Sequence, residues 1–242
     1  MNRIDLYIKK DLLQYILMQR TQYLKKTIIH KAVAKLLRFF SFSDFGSIKA
    51  NILLNHNGIK NEYNTDMWSE YISIKDQLPE SAENILDIGC GIGGIDIYLY
   101  KHYKNSSNIY LIDKSAIDDN LHYGFKDQGS FYNSLLLTRS FLVENNVPEE
   151  RIFVQEANAE NIIEFNQQFD LIISLISWGF HYPVATYLKS AFDKLKTNGM
   201  IIIDVRKDSN GIEELKEEFK EVNIIKEFSK HFRVMVKKSY YA

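Results

Sequence analysis

The sequence has 242 residues, 45% of them hydrophobic and 25% charged, with only three prolines and eleven glycines. This composition is typical of a globular domain with a substantial core, and it excludes long low-complexity linkers. The single cysteine, Cys90, excludes an intramolecular disulfide. The first twenty residues are too rich in charge for a signal peptide, and no run reaches the ~18 apolar residues of a membrane span. We therefore predict a cytoplasmic protein with no transmembrane segment.

The net charge of -1 conceals a difference between the two ends of the chain. Residues 1–50 hold ten Lys or Arg against three Asp or Glu, whereas the remaining residues hold twenty against twenty-eight. Two interpretations follow. The basic side chains coat the solvated face of a helical appendage, or they meet an anionic partner such as a phosphate-bearing substrate, an acidic membrane surface or nucleic acid.

The N-terminal part of the chain has the pattern of a helix. Residues 4–40 carry apolar side chains mostly at steps of three or four, with no Gly or Pro between them. A further helix is predicted over Asp66–Gln77. We therefore divide the chain into a basic helical appendage, residues 1–62, and a larger domain, residues 63–242. Because the apolar positions extend around much of the first helix, we expect it to pack on the core or on another subunit of an oligomer.

From residue 84, short β-branched runs alternate with longer helical stretches, the pattern of βαβ units around a mostly parallel sheet. Seven strands are predicted: Asn84–Ile88, Asn108–Asp113, Arg151–Gln155, Phe169–Leu175, Met200–Val205, Asn223–Phe228 and Phe232–Lys238. The helices predicted between them are Ile92–Tyr103, Phe131–Asn145, Val184–Lys196 and Gly211–Glu221. The last two strands are too close for a crossover helix, so they should pair antiparallel.

Glycines cluster where the first of these strands meets its helix, in the run Asp87-Ile88-Gly89-Cys90-Gly91-Ile92-Gly93-Gly94. Glycine adopts unusual dihedral angles there and lets the backbone approach a ligand closely. The spacing of three of these glycines also satisfies the G-x-G-x-x-G pattern of dinucleotide-binding proteins. However, an acid two residues before the first glycine suits the cationic end of a sulfonium cofactor and would repel a pyrophosphate.

Three features together resemble the class I S-adenosylmethionine-dependent methyltransferases. They are the acidic glycine loop, Asp113 at the end of the second strand, and the run Phe169–Ser174 followed after a helix by Leu195–Ile203. Thr197-Asn198 stands where the family has Pro-Gly, a mild departure in a turn. The resemblance covers residues 80–242. It implies an α/β fold with a seven-stranded, mostly parallel Rossmann-like sheet, an antiparallel terminal hairpin, a preceding helical segment, and S-adenosylmethionine as cofactor.

The resemblance also implies which residues hold the cofactor. Asp113 would accept hydrogen bonds from the ribose hydroxyls, and Asn158, where the family often has Asp, would bind the adenine amino group. An ordinary loop asparagine is the alternative for Asn158. The predicted cofactor-binding residues are Asp87, Gly89, Cys90, Gly91, Gly93, Asp113, Lys114, Asn158, Ala159 and Ser174. A dinucleotide-binding or non-catalytic Rossmann protein remains an alternative.

The segment Ser174–Pro183 bears on the methyl acceptor. It lacks the proline pair of enzymes that methylate amino groups of DNA bases, and it lacks the carboxylates with which catechol-type enzymes hold magnesium, so no metal site is predicted. His181 is the candidate general base, because a hydroxyl acceptor must lose a proton and histidine titrates near neutral pH. The alternative is a loop histidine that packs with Trp178 and Tyr182.

The stretch between Asp113 and Arg151 is long for a crossover, and its aromatic and amide side chains suit a sugar ring. The predicted substrate-binding residues are Tyr123, Tyr132, Asn133, Trp178 and Tyr182. These motifs loosely resemble methyltransferases of bacterial capsule and lipopolysaccharide clusters. That resemblance implies a glycan precursor as substrate, methylated on a sugar hydroxyl or on a phosphorus-containing substituent. The alternatives are aromatic residues that only anchor a loop, and an enzyme that docks RNA or protein through residues 1–60.

Overall fold

The computed structural model describes residues 1–20, 22–23, 44–115 and 133–239. Residues 1–9 form no regular helix, so the helix predicted from residue 4 is wrong at its start. Leu6 and Ile8 are buried in this segment at alternate positions, and the amide of Leu6 donates to Oδ1 of Asn64 at 2.8 Å. A 3-10 turn, Lys10–Leu12, leads into helix α1, Leu13–Gln19. Most of the remaining predicted helix lies outside the described residues.

Helix α2 spans Asp44–Ile74 and therefore begins well before the predicted Asp66. Asn55 interrupts it with a non-helical backbone, at φ -144° and ψ 32°. The helix crosses the boundary between residues 62 and 63 and packs on α1. The N-terminal segment thus shares one hydrophobic cluster with the sheet and its helices. The division into two domains remains a prediction.

The predicted sheet topology is confirmed. The strands are β1 Asn84–Ile88, β2 Asn108–Asp113, β3 Ile152–Glu156, β4 Phe169–Ser174, β5 Ser177–Tyr182, β6 Leu195–Arg206, β7 Val222–Glu227 and β8 His231–Lys237. Seven of them form one sheet in the order β3-β2-β1-β4-β6-β8-β7. The pairs among β3, β2, β1, β4 and β6 are parallel, whereas β8 runs antiparallel to both β6 and β7.

Helices cover both faces of this sheet. As a result, every residue of β1 and nearly every residue of β4 is buried. These helices are α3 Gly94–His102, α4 Leu135–Glu144, α5 Ala185–Lys194 and α6 Gly211–Glu218. The strand order reverses at β1, which lies between β2 and β4. In open α/β sheets, ligands bind at such a switch point beyond the carboxyl ends of the strands. The glycine loop follows β1 at this point.

Strand β5 was not predicted. It lies beside β6, outside the seven-strand order, and contains Gly179 at φ +82°. A Cβ on Gly179 would lie 2.8 Å from the backbone oxygen of Asp204, so only glycine fits without a shift of the backbone. His181 therefore lies on a strand, and the interpretation of its segment as a loop is wrong.

None of the helices among the described residues has the length and apolar character that a membrane crossing requires.

Candidate active site

The loop after β1 has a backbone that ordinary side chains adopt only with strain. Gly89, Gly91 and Gly93 have φ angles of 78°, 54° and 77°. The amides of Gly89 and Cys90 both donate to the carbonyl of Ile112, at 2.7 and 3.2 Å, which fastens the loop to β2. The glycines therefore form a fixed turn at the end of the central strand.

Gly91 is held through both its amide and its carbonyl. Its N–H donates to Oδ2 of Asp113 at 2.7 Å, and its carbonyl accepts from Nδ2 of Asn133 at 2.6 Å and from Oγ1 of Thr138 at 2.9 Å. Asn133 is only 3% exposed, so its amide supports the glycine loop and the substrate contact predicted for it is corrected. The contact of Thr138 was not predicted, because a single threonine in an otherwise apolar helix is usually a core residue.

Asp113 ends β2 beside the glycine loop, and its ribose contact remains a prediction. Its Oδ1 accepts the amide of Lys114 at 2.7 Å, while the Lys114 side chain is exposed. Burial raises the pKa of Asp113 to about 6, although the hydrogen bonds from Lys114 and Gly91 oppose that rise. A half-buried carboxylate at the end of β2 can accept further hydrogen bonds from a ligand.

The N-terminal helices cover the outer side of the glycine loop. Oε1 of Gln19, at the end of α1, lies 2.7 Å from the position that a Cβ would take on Gly91. On α2, the Tyr63 hydroxyl is the atom nearest to the Cβ position of Gly94, and Sδ of Met67 lies 2.7 Å from that position. These contacts were not predicted, because the helices are far from the glycine loop in the sequence and no local pattern indicates which helix packs on it.

Two hydroxyl groups of β5 lie against the other side of the loop. Oγ of Ser177 is the atom nearest to the position of a Cβ on Gly89, and the Tyr182 hydroxyl is 3.7 Å from that position. Burial raises the pKa of Tyr182, while its hydrogen bond with Ser177 lowers it. The net effect is a phenol that stays protonated at neutral pH and can donate to an acceptor. The substrate contact of Tyr182 remains a prediction.

Two other predicted cofactor-binding residues, Ser174 and Asn158, use their polar atoms in hydrogen bonds within the protein. Oγ of Ser174 donates to the carbonyl of Ile88 at 2.7 Å and accepts the amide of Trp178 at 2.9 Å, in full burial. Asn158 bonds within its own loop, donating through Nδ2 to Glu164 at 2.8 Å and accepting the amide of Ile162 at 2.9 Å. Ser174 is therefore a structural link between strands. The adenine contacts of Asn158 and exposed Ala159 remain predictions.

Trp178 belongs to the core. It is 0% exposed, its Nε1 donates to the carbonyl of Val184 at 2.7 Å, and its ring meets that of Tyr187 edge-on. The predicted substrate contact of Trp178 is corrected on this ground. His181 is half-buried, with its ring at 4.8 Å from that of Phe180. Tyr123 and Tyr132 lie outside the described residues.

The site fits a positively charged nucleoside cofactor. Asp87, at the end of β1, is 3% exposed, and its Oδ1 has no hydrogen-bond donor among the described residues. A buried carboxylate without a donor needs a cation or a proton, and the positive-φ glycines beside it leave the backbone open to close approach. Within the described ranges, no three His, Cys, Asp or Glu side chains are grouped to hold a metal ion.

Residues 62–242 match a family model described as a methyltransferase domain. The chain belongs to this family. The prediction of a methyltransferase is confirmed by this family, and the dinucleotide-binding alternative is set aside. No curated protein sequence matches the methyltransferase.

Solved structures share the fold of this methyltransferase. SibL, an S-adenosylmethionine-dependent methyltransferase in its apo form, has a TM-score of 0.58 at 15% identity, over 96% of this chain and 76% of its own. A candidate O-methyltransferase from Nostoc punctiforme PCC 73102 has 0.51 at 14%, over 72% and 57%. The T. thermophilus 16S rRNA N2 G1207 methyltransferase RsmC, in complex with AdoMet and guanosine, has 0.50 at 14%, over 69% and 41%. The methyltransferase thus spans less than half of the RsmC chain.

The geometry at Asp113 leads to a prediction. Asp113→Ala is expected to weaken S-adenosylhomocysteine binding by about 1–3 kcal/mol, because it removes a ribose partner and leaves buried groups unsatisfied. Calorimetric titration of both proteins measures this loss. The exposed Asp193 on α5 supplies the control, since Asp193→Ala should bind like the parent. Equal affinity in Asp113→Ala and Asp193→Ala would contradict the assigned site.

Proposed function

We propose that the methyltransferase transfers the methyl group of S-adenosylmethionine to a hydroxyl of a small polar acceptor in the cytoplasm. The acceptor we favour is a sugar of a capsule or lipopolysaccharide precursor. The observation that carries this proposal is the cover over the glycine loop. Gln19 and Tyr63 close its outer side with side chains of the same chain, which favours an acceptor small enough to enter an enclosed site.

The lining of the opposite side supports a polar acceptor. Ser177 and Tyr182 present hydroxyls beside Gly89, and Tyr187 lies next to Tyr182 at 6.4 Å between ring centroids. Hydroxyl donors on aromatic walls suit a sugar ring, which offers hydroxyls at its edge and C–H groups on its faces. Burial also raises the pKa of Tyr187, so this hydroxyl likewise remains a donor at neutral pH.

The proposed chemistry needs little from the protein besides orientation and proton removal. When bound, S-adenosylmethionine supplies a methyl group on a sulfonium that departs as a neutral thioether. Ser177 and Tyr182 would hold the acceptor hydroxyl, and His181 would take its proton, so that the oxygen retains the electron pair that forms the new O–CH₃ bond. The imidazolium would then release this proton to solvent.

Within residues 1–20, the contacts of the basic side chains favour a small acceptor over RNA or protein. Three of the four basic side chains in residues 1–20 bond within the chain: Lys9 pairs with Glu144, Arg20 approaches Asp66 at 3.5 Å, and Arg3 donates to Thr65 at 3.1 Å. Side chains engaged in this way contribute less to a polyanion or membrane surface than solvated ones. A phosphorus-containing substituent on the glycan is still compatible with the proposal.

The acceptor class can be measured directly. The full chain is incubated with methyl-labelled S-adenosylmethionine and, separately, with nucleotide-linked sugars, a lipid-linked glycan extract, total RNA and a protein extract. We expect label in a sugar-containing fraction at least about tenfold above the Asp113→Ala control, the scale of one lost binding contact. Mass spectrometry then identifies the methylated atom. Label confined to RNA or protein would refute the small-acceptor proposal.

A further inference from the structure

Two carboxyl groups lie buried side by side beneath the glycine loop. Asp87 ends β1, and Asp96 occupies the first turn of the nine-residue helix α3. Asp96 is 0% exposed, and neither of its oxygens has a hydrogen-bond donor among the described residues. Its Oδ2 lies 3.4 Å from the position of a Cβ on Gly93, so the carboxyl is directed at the loop that receives the cofactor. Each of the two carboxyls acts on the protonation of the other.

Among the described residues, the groups that face the pair carry no opposite charge that would neutralise it. Asp113 on β2 faces Asp87, the thiol of Cys90 faces both carboxyls, and the phenols of Tyr63 and Tyr182 face Asp96 and Asp87 respectively. Arg20, the cation that approaches Tyr63, instead pairs with Asp66 and Glu70 on α2. Within the described part of the chain, the charges acting on Asp87 are therefore acidic.

Two adjacent buried carboxyls without a cation cannot both be ionised at moderate cost. Burial raises the pKa of Asp87, and the neighbouring Asp96 raises it further. Burial likewise raises the pKa of Asp96, and the neighbouring Asp87 and the start of α3 oppose that rise only in part. Such a pair titrates as a unit, and the first proton is lost much more easily than the second.

We propose that Asp96 is a cofactor-binding residue that shares one proton with Asp87 in the empty site, and that this proton leaves when a cationic amino-acid group binds. This inference rests on the proposed function, because it takes the ligand to be the ammonium end of S-adenosylmethionine or S-adenosylhomocysteine. The O–H bond of the shared proton breaks, its electron pair stays on the carboxylate, and the proton passes to the buffer. Asp96 thereby adds a second counter-charge to that of Asp87.

The first test counts protons. Calorimetric titration of the full chain with S-adenosylhomocysteine at pH 7, in buffers of different protonation enthalpy, should show a release approaching one proton per ligand in the parent protein. Asp96→Asn should release clearly less and bind about tenfold or more weakly, the scale of one charge-assisted hydrogen bond. The exposed Asp193→Asn serves as the control and should match the parent. Binding without proton release in the parent, or equal release in Asp96→Asn, would overturn the inference.

The second test needs no ligand. A carboxyl whose pKa is raised in the folded state supports folding below its unfolded pKa, and that support is lost as the pH rises through the folded value. The melting temperature of the parent should therefore fall between pH 5 and pH 8, and that of Asp96→Asn should fall less, while Asp193→Asn follows the parent. A pH-independent difference between Asp96→Asn and the parent would contradict the shared proton.

The two tests separate failure of this inference from failure of the proposed function. If S-adenosylhomocysteine does not bind to the parent, the proposed function fails, and the ligand-free melting curves still decide whether the pair holds a proton. If the ligand binds but no proton is released, only the inference fails. If Asp96→Asn does not fold, the parent's proton count remains decisive, because absence of proton release from the parent overturns the inference without any variant.

Discussion

Replacement of Arg233 by methionine is expected to lower the free energy of unfolding by about 3–5 kcal/mol, the usual cost of breaking a buried ion pair from one side. Arg233 on β8 is fully buried. Its Nε and Nη2 donate to the two carboxylate oxygens of Asp204 on β6, both at 2.7 Å. Its Nη1 also lies 2.6 Å from Oε2 of Glu70 on α2. The variant would leave both acids buried without their main counter-charge.

The pKa of Glu70 supports this expectation. Burial alone would raise the pKa of this carboxyl, but Arg233 and then Arg20 hold it below its ordinary value. Oδ2 of Asp204 also accepts the amide of Ile176, in the turn that precedes Ser177, at 3.1 Å. The network therefore joins helix α2 to the turn before β5, the strand that carries the hydroxyls of Ser177 and Tyr182, so its loss should disturb the site as well as the fold.

Urea denaturation of Arg233→Met and of a control measures this effect. Arg139→Met is the control, because Arg139 is only half-buried and pairs at 3.3 Å with the exposed Glu149, and solvent-exposed pairs contribute less than about 1 kcal/mol. The double variant Arg233→Met with Asp204→Leu should recover much of the loss, since apolar replacement of a buried pair is often neutral. A loss in Arg233→Met as small as that in Arg139→Met would show that the network contributes little.

The central sheet could be predicted because its strands carry continuous apolar runs between turns. β1, β2, β4 and β6 are buried on both faces, and burial on both faces leaves a strong signal in the sequence. β5 could not be predicted in this way. It contains Gly179 in its interior and a mixture of polar and aromatic side chains, and its position depends on contact with the backbone of Asp204, which no local pattern records.

The start of the chain was misinterpreted for a related reason. Ile4, Leu6 and Ile8 are spaced by two, whereas the positions after Leu13 are spaced as in a helix, and the two periods merge in the sequence. In the structure, hydrogen bonds to residues far away in the sequence hold the first residues in an extended conformation. The amides of Ile4 and Tyr7 donate to the Tyr98 hydroxyl at 3.2 Å and to Oδ1 of Asn145 at 2.8 Å. Those partners are distant in the sequence, so the pattern could not indicate them.

The part of the candidate site that forms a short motif in the sequence could be predicted. The glycine loop and the acids Asp87 and Asp113 stand at fixed places relative to strands, and the structure brings them together at the switch point. Trp178 and Asn133 failed as acceptor residues because an aromatic or amide side chain serves equally well in a core. Asp96 was overlooked because the glycine motif ends before it, although an acid within the apolar stretch from Ile92 to Tyr100 was a visible signal.

His181→Ala is expected to lower turnover on the true acceptor by about 10²–10⁴-fold, the usual contribution of a positioned general base. Its affinity for S-adenosylhomocysteine should stay nearly unchanged, because a general base acts on the acceptor hydroxyl and its removal leaves the cofactor-binding groups in place. The pH–rate profile of the parent should show a limb at about pH 6 to 7, where histidine side chains titrate, and this limb should disappear in the variant. His56, exposed on α2, provides the control, and His56→Ala should retain the parent's rate and profile.

Full activity in His181→Ala would assign proton removal to another group, such as His122 or Tyr132, which lie outside the described residues. A loss of S-adenosylhomocysteine binding in His181→Ala would instead identify His181 as a structural residue of β5, since a base acts on the acceptor and leaves the cofactor contacts intact.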